Sequence, residues 1–165
     1  MFKKEFYNIK NITLLSLIAA LYVVLSLILA PISFGIVQFR LAEVLVLLCF
    51  YKKEFSISLV IGCFITNLFS PFGLDILFGT LHTLVSVIFI ANSKKLFIAS
   101  LWPSVFSFIV GFELYLYGEP LIISTLGVLV GEFVVVTVLG VLLFSSLNKS
   151  RQFKEFIYRS FKSKK

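Results

Sequence analysis

Charge is what this sequence has least of. Only 14% of its 165 residues are Asp, Glu, Lys or Arg, too few to cover the surface of a soluble domain of that length. Histidine, tryptophan and methionine each occur once and cysteine twice. The single His82 has no second ligand near it, and Cys49 and Cys63 lack metal-ligand spacing, so no metal site is expected. The two cysteines read as buried free thiols rather than a disulfide. The chain has no GxxxxGK[ST] stretch and cannot use ATP by the P-loop route alone. It also lacks a nucleophile-base constellation. No catalytic residue, enzyme activity or cofactor is therefore expected.

Apolar side chains fill the space that charge leaves. They make up 59% of the chain and raise its mean hydropathy to +1.06. Its apolar runs approach the roughly 20 residues needed to cross a hydrocarbon core about 30 Å thick, and they lack the alternation of a membrane barrel. The reading is an all-α integral membrane protein of six transmembrane helices, at about 11–30, 36–51, 55–69, 74–91, 96–116 and 121–147. Pro31 and Gly35 close the first span, and Trp102-Pro103 should kink the fifth. The first span reads as retained, because it is long for a signal-peptide core and Ile28-Leu29-Ala30-Pro31 is a poor cleavage site.

The net charge of +7 does not indicate nucleic acid, because the basic residues sit in short clusters between apolar runs. In the six-span arrangement every basic residue except Arg40 falls on one side, which makes both termini cytoplasmic. Residues 1–147 form one transmembrane domain. Residues 148–165 form a basic amphipathic cytoplasmic tail, whose Phe153, Phe156, Ile157 and Phe161 suit a helix lying on an anionic inner leaflet, although a plain topology anchor with no specific ligand is the favoured reading. The acids distribute the other way. Glu43, Asp75, Glu113, Glu119 and Glu132 lie in spans or outer turns, and this excess favours a cationic or donor-rich ligand.

Glu43 stands about seven residues into the second span, roughly 10 Å along a helix. Arg40 precedes it by one turn, so the two either pair at i, i+3 or serve a ligand. A carboxylate can accept two hydrogen bonds from an amidine-like edge, such as N1–H and the 2-amino group of a guanine. Asn67 faces the same region and offers donor and acceptor, although interhelical hydrogen bonding explains it equally well. Asp75 opens a helix, where the macrodipole accounts for it. His82 lies two turns beyond Asp75, where packing and ligand roles are both open. Glu113 sits near the outer end of the fifth span. Glu132 stands roughly 18 Å into the sixth, where an unpaired carboxyl is expensive and a functional role is the default. Gly127 and Gly131, like Ser16 and Ala20, have the spacing of close helix packing.

The stretch APISFGIVQFRLAE at 30–43 resembles the QueT family, as do Asn67-Leu68, LDILFGTL at 74–81, Leu101-Trp102-Pro103, the run 111–116 with Gly118-Glu119-Pro120, and Gly131-Glu132. These proteins are substrate-binding S components of energy-coupling factor (ECF) transporters. The resemblance covers about residues 16–143. It implies a six-helix S component in a bacterial plasma membrane that captures a queuosine precursor or related 7-deazaguanine, such as 7-aminomethyl-7-deazaguanine, from outside. A transmembrane coupling subunit and two cytoplasmic ATPases would drive uptake, and Ser16 and Ala20 would face the coupling subunit. The chain departs from the family pattern at Ser107, where an asparagine is expected after Trp-Pro, and at His82, where a small residue is usual. A pocket lined by those positions would suit a related but different ligand.

The expected substrate-binding set is Glu43 as principal acceptor beneath a 31–37 lid, with Arg40 and Asn67 beside it. Glu113, Glu132, His82 and Ser107 form a second rank. Two rivals stand against this reading: a stand-alone secondary transporter carrying protons on Glu43 or Glu132, and a non-transporting membrane scaffold.

Overall fold

The computed structural model describes residues 8–33 and 38–161. Every regular element among them is helical, which lets each backbone N–H and C=O find its partner inside its own segment. Helix α1, Ile9–Ile28, starts behind Asn8, whose side chain accepts from the Lys10 N–H. A single turn, α2, covers Ala30–Ser33. The expected lid falls partly on residues 34–37, which lie outside the described residues.

Four helical stretches are long and apolar enough to cross a membrane: Ile9–Ile28, Gly73–Ala91, Leu96–Leu116 and Leu121–Leu147. The stretches Leu41–Tyr51 and Phe55–Asn67 are shorter. At 1.5 to 2.0 Å per residue each reaches about 20 Å, against a core of about 30 Å. The second of these is α4, Phe55–Asn67. The first departs from expectation, because it is not a continuous α-helix from residue 36. Residues 38–40 are irregular, Leu41–Leu47 wind as 3-10 turns, and only α3, Leu48–Tyr51, is α-helical. Counting helical rise from residue 36 therefore misplaces Glu43, which lies two residues into the 3-10 stretch.

The irregular backbone has a physical cause. A side chain at Gly131 would put its Cβ 2.8 Å from the carbonyl carbon of Gln38 and into the carbonyl oxygen itself, so the bare glycine lets residues 38–40 lie against the last long helix. Non-helical backbone at membrane depth is tolerated only where protein buries it or it lines a cavity. The 3-10 stretch is indeed enclosed. It packs against α1, α4, α5 and the last helix, and Ala42, Glu43, Val46 and Leu47 are wholly buried. The short stretch Leu41–Tyr51 lies at the centre of the bundle.

A 3-10 turn, Gly73–Ile76, leads into α5, Phe78–Ala91. Helix α6, Leu96–Val105, contains Pro103, yet the break expected there comes slightly later, between Val105 and the start of α7, Phe108–Leu116. The Ser107 N–H bonds the Ser104 carbonyl at 3.3 Å, and His82 Nε2 donates to the Pro103 carbonyl at 2.9 Å. Helix α7 ends in a Schellman turn on Gly118 (φ 97°), with Gly118 N–H to Tyr115 O at 2.9 Å and Glu119 N–H to Leu114 O at 3.1 Å. Helix α8, Leu121–Glu132, runs through a π-helical stretch, Phe133–Gly140, into α9, Val141–Leu147.

Helix α10, Arg151–Arg159, uses part of its apolar face on the protein itself. Phe153 meets Tyr51 edge-on at 5.3 Å, and Phe156 stacks on Phe55 at 6.3 Å. The aromatic face expected to lie on lipid thus covers one end of the bundle. Phe55, Leu59, Ile90 and Phe144 fill that end with apolar contacts. The buried residues towards the other end are largely polar.

Helices α7 and α8 approach closely at Gly111, where a Cβ would lie 2.7 Å from Thr125 Cα and 2.9 Å from its Cβ. Gly111→Ala should push the two helices apart and cost about 1–3 kcal/mol, the usual penalty of overpacking. Thermal unfolding in detergent, followed by alkylation of the buried thiols of Cys49 and Cys63, should show a lowered midpoint.

Candidate functional site

Glu43 anchors the polar end. Its Oε1 accepts hydrogen bonds from Tyr22 Oη on α1 and from Thr83 Oγ1 on α5, the latter at 3.1 Å. Its Oε2 is buried without a hydrogen-bond partner among the described residues. Glu132 lies within electrostatic reach of Glu43 and Arg40, and its Oε2 is likewise buried and unpartnered. Both carboxyls sit at irregularities: Glu43 in 3-10 turns, Glu132 at the junction with the π-helical stretch. Such departures from α geometry inside helices frequently mark functional positions.

Arg40 forms an ion pair with Asp75, Nη2 to Oδ1 at 3.8 Å, with both side chains almost fully buried. Arg40 itself has ψ 85°, so the chain turns there before the 3-10 stretch begins. Asp75 Oδ2 accepts from Ser70 Oγ. Asn67 braces the same corner, donating through Nδ2 to the Asp75 carbonyl at 2.9 Å and to Thr80 Oγ1 at 3.3 Å. Gly79 leaves room for this arrangement, because a Cβ there would stand 2.8 Å from Asn67 Nδ2 and 3.0 Å from Asp75 Oδ1. Glu113 lies beside Asp75 at 1% exposure, and neither of its oxygens has a hydrogen-bond partner among the described residues. Four carboxyls and one guanidinium are thus buried in one end of an apolar bundle. An uncompensated buried charge is strongly unfavourable, so such a set calls for added donors.

The model of the QueT transporter family matches residues 12–149, most of the chain. The chain belongs to the QueT transporter family. A curated relative, the queuosine precursor transporter QueT of Lactococcus lactis subsp. cremoris (strain MG1363), is 40% identical over 87 residues. That alignment covers 52% of this chain and 50% of the relative, so the chain spans about half the length of the curated relative it matches. No solved structure matches the chain. QueT is a transporter family rather than an enzyme family, and this member is a multi-pass protein of the cell membrane, with several helices apolar enough to span it.

Of the residues singled out in the sequence of this QueT family member, the fold gathers Arg40, Glu43, Asn67, Glu113 and Glu132 into the polar end. His82 is buried there too, with its Nε2 on the Pro103 carbonyl, the hydrogen-bonded packing role. Ser107 is buried at the break between α6 and α7. Ser16 and Ala20 are exposed on α1, while Ala19 and Tyr22 on the opposite side of that helix meet Gly62 of α4. Gly131 packs against the Gln38 backbone rather than serving helix-helix contact alone. Among the described residues no group of three or more His, Cys, Asp or Glu is placed to hold a metal.

Sequence reasoning missed Tyr22, Thr83 and the pairing of Asp75 with Arg40. Tyr22 is one of several hydroxyls in α1 and Thr83 one of three in α5, so neither carries a local signal, and only the packing of α1, α5 and the Leu41–Leu47 stretch identifies them. Asp75 did carry a signal, a lone acid in an outer turn, which the helix dipole explained too easily.

Arg40→Met should leave Asp75 as an unpaired buried acid and destabilise the protein by about 3–5 kcal/mol. Adding Asp75→Asn should restore much of that loss. Thermal unfolding of the wild type, both single variants and the double variant checks the coupling.

Proposed function

We propose that this chain is the substrate-binding S component of an ECF-type importer, taking a queuosine precursor or related 7-deazaguanine from outside for ATP-driven release by partner subunits. One observation carries the reading: a buried carboxyl at Glu43, fixed on one oxygen by Tyr22 and Thr83, keeps its second oxygen unpartnered. A guanine-type edge supplies adjacent N–H donors that match such an acceptor. Glu132 adds a second acceptor within electrostatic reach of Glu43. The relative named as a queuosine precursor transporter supports the same ligand class.

In this reading the chain crosses the membrane six times with both termini inside, and the basic clusters at Lys52-Lys53, Lys94-Lys95 and the tail support that orientation. The two short apolar helices would be accommodated by the bundle around them. The exposure of Ser16 and Ala20 on α1 supports their use as the face that meets the coupling subunit, since small residues let helices approach closely.

Calorimetry of the purified protein with 7-aminomethyl-7-deazaguanine should show submicromolar binding. Glu43→Gln should weaken it about 10- to 100-fold, the cost of losing a charge-assisted hydrogen bond. No heat of binding with the folded wild type would sink the assigned substrate. Co-purification with a membrane coupling subunit and two ATPases is also expected. Uptake that collapses with an uncoupler but survives ATP depletion would instead make the chain a secondary transporter.

A further inference from the structure

We infer that the site has a second recognition end, formed by Asp75, Glu113 and Asn67, that takes a primary ammonium group and sets the preference among related ligands. As applied to a 7-deazaguanine, this rests on the function proposed above, where Glu43 and Glu132 hold the heterocycle.

Donor and acceptor capacity limits what this corner can hold. Asn67 Nδ2 faces the Asp75 carbonyl, which can only accept, so the amide orientation is fixed and its Oδ1 is the atom left to present. That Oδ1 and both oxygens of Glu113 have no hydrogen-bond partner among the described residues. Asp75 Oδ1 stands 3.8 Å from Arg40 Nη2, an ion-pair distance that leaves room for a shorter hydrogen bond. All these groups are acceptors, and Asn67, Asp75 and Glu113 are each at 1% exposure.

Charge points to the same ligand chemistry. Two adjacent carboxyl groups, Asp75 and Glu113, stand beside one guanidinium at this corner. An alkylammonium brings one positive charge and three donors, which a neutral amine-free substituent cannot supply. A metal ion fits poorly, since the described residues hold no cluster of metal-ligating side chains.

This end adjoins the heterocycle end. Cys63 Sγ links them, with Thr83 Oγ1, which bonds Glu43, at 3.2 Å and Asn67 Nδ2 at 3.3 Å. A ring seated at Glu43 and Glu132 with an aminomethyl arm would direct its nitrogen towards Asp75 and Glu113.

The test compares the full chain's affinity for 7-aminomethyl-7-deazaguanine with that for its neutral 7-cyano analogue. Wild type should favour the ammonium ligand about 10- to 100-fold. Glu113→Gln and Glu113→Ala should both collapse that ratio towards one, whereas Glu43→Gln should weaken both ligands and keep it. A ratio unchanged from wild type in both folded Glu113 variants overturns the inference. Methylammonium serves as a probe free of the heterocycle. Wild type that binds neither 7-deazaguanine but is stabilised by methylammonium, with the effect lost in Glu113→Gln, keeps the ammonium end and overturns the assigned heterocycle. Wild type that responds to none of the three overturns both.

Discussion

The burial of four carboxyl groups beside a single guanidinium is the constraint on which this structure depends. A hydrocarbon setting offers no water to those groups, so each must be met by a donor from the protein or from a ligand. Arg40 reaches Asp75, and Tyr22 and Thr83 reach Glu43. These contacts require a backbone that leaves the α-helical path. Residues 38–40 turn out of regular structure, Leu41–Leu47 tighten into 3-10 turns, and the last long helix loosens into π geometry after Glu132. Glycines stand where the polar groups need room: Gly131 under the Gln38 carbonyl, and Gly79 under Asn67 and Asp75.

The bundle separates stability from recognition along its length. One end is packed with Phe55, Leu59, Ile90 and Phe144 and covered by the aromatic face of α10. Dispersion and close packing dominate there. The other end keeps unpartnered acceptors on Glu43, Asn67, Glu113 and Glu132. In the function proposed above, binding supplies donors the protein lacks and stabilises the fold by mass action.

Much of the candidate site was legible because charge is rare in an apolar chain. Glu43, Glu132, Arg40 and Glu113 stand out against their surroundings, and the fold brings all four to one end. What stayed hidden were partners that look ordinary in sequence. Tyr22 is one of six tyrosines, and Thr83 one of three hydroxyls in α5. The i, i+3 spacing of Arg40 and Glu43 proposed a local pair, whereas the turn at Arg40 sends its guanidinium towards Asp75, 35 positions later by residue number. Helical spacing holds only where the backbone is helical, and here it is not.

The sequence by itself determined that this is a helical membrane protein, which family it belongs to, and which charged residues need explaining. Those properties follow from composition, run length and motif order, each a local quantity. Only the tertiary structure decided which acid meets which donor, where the second span loses its α geometry, and that the tail's aromatic face covers the bundle. These depend on contacts between segments far apart in the chain. In a membrane the choice among such contacts is set by the need to satisfy every buried polar group, and no single stretch of sequence records that sum.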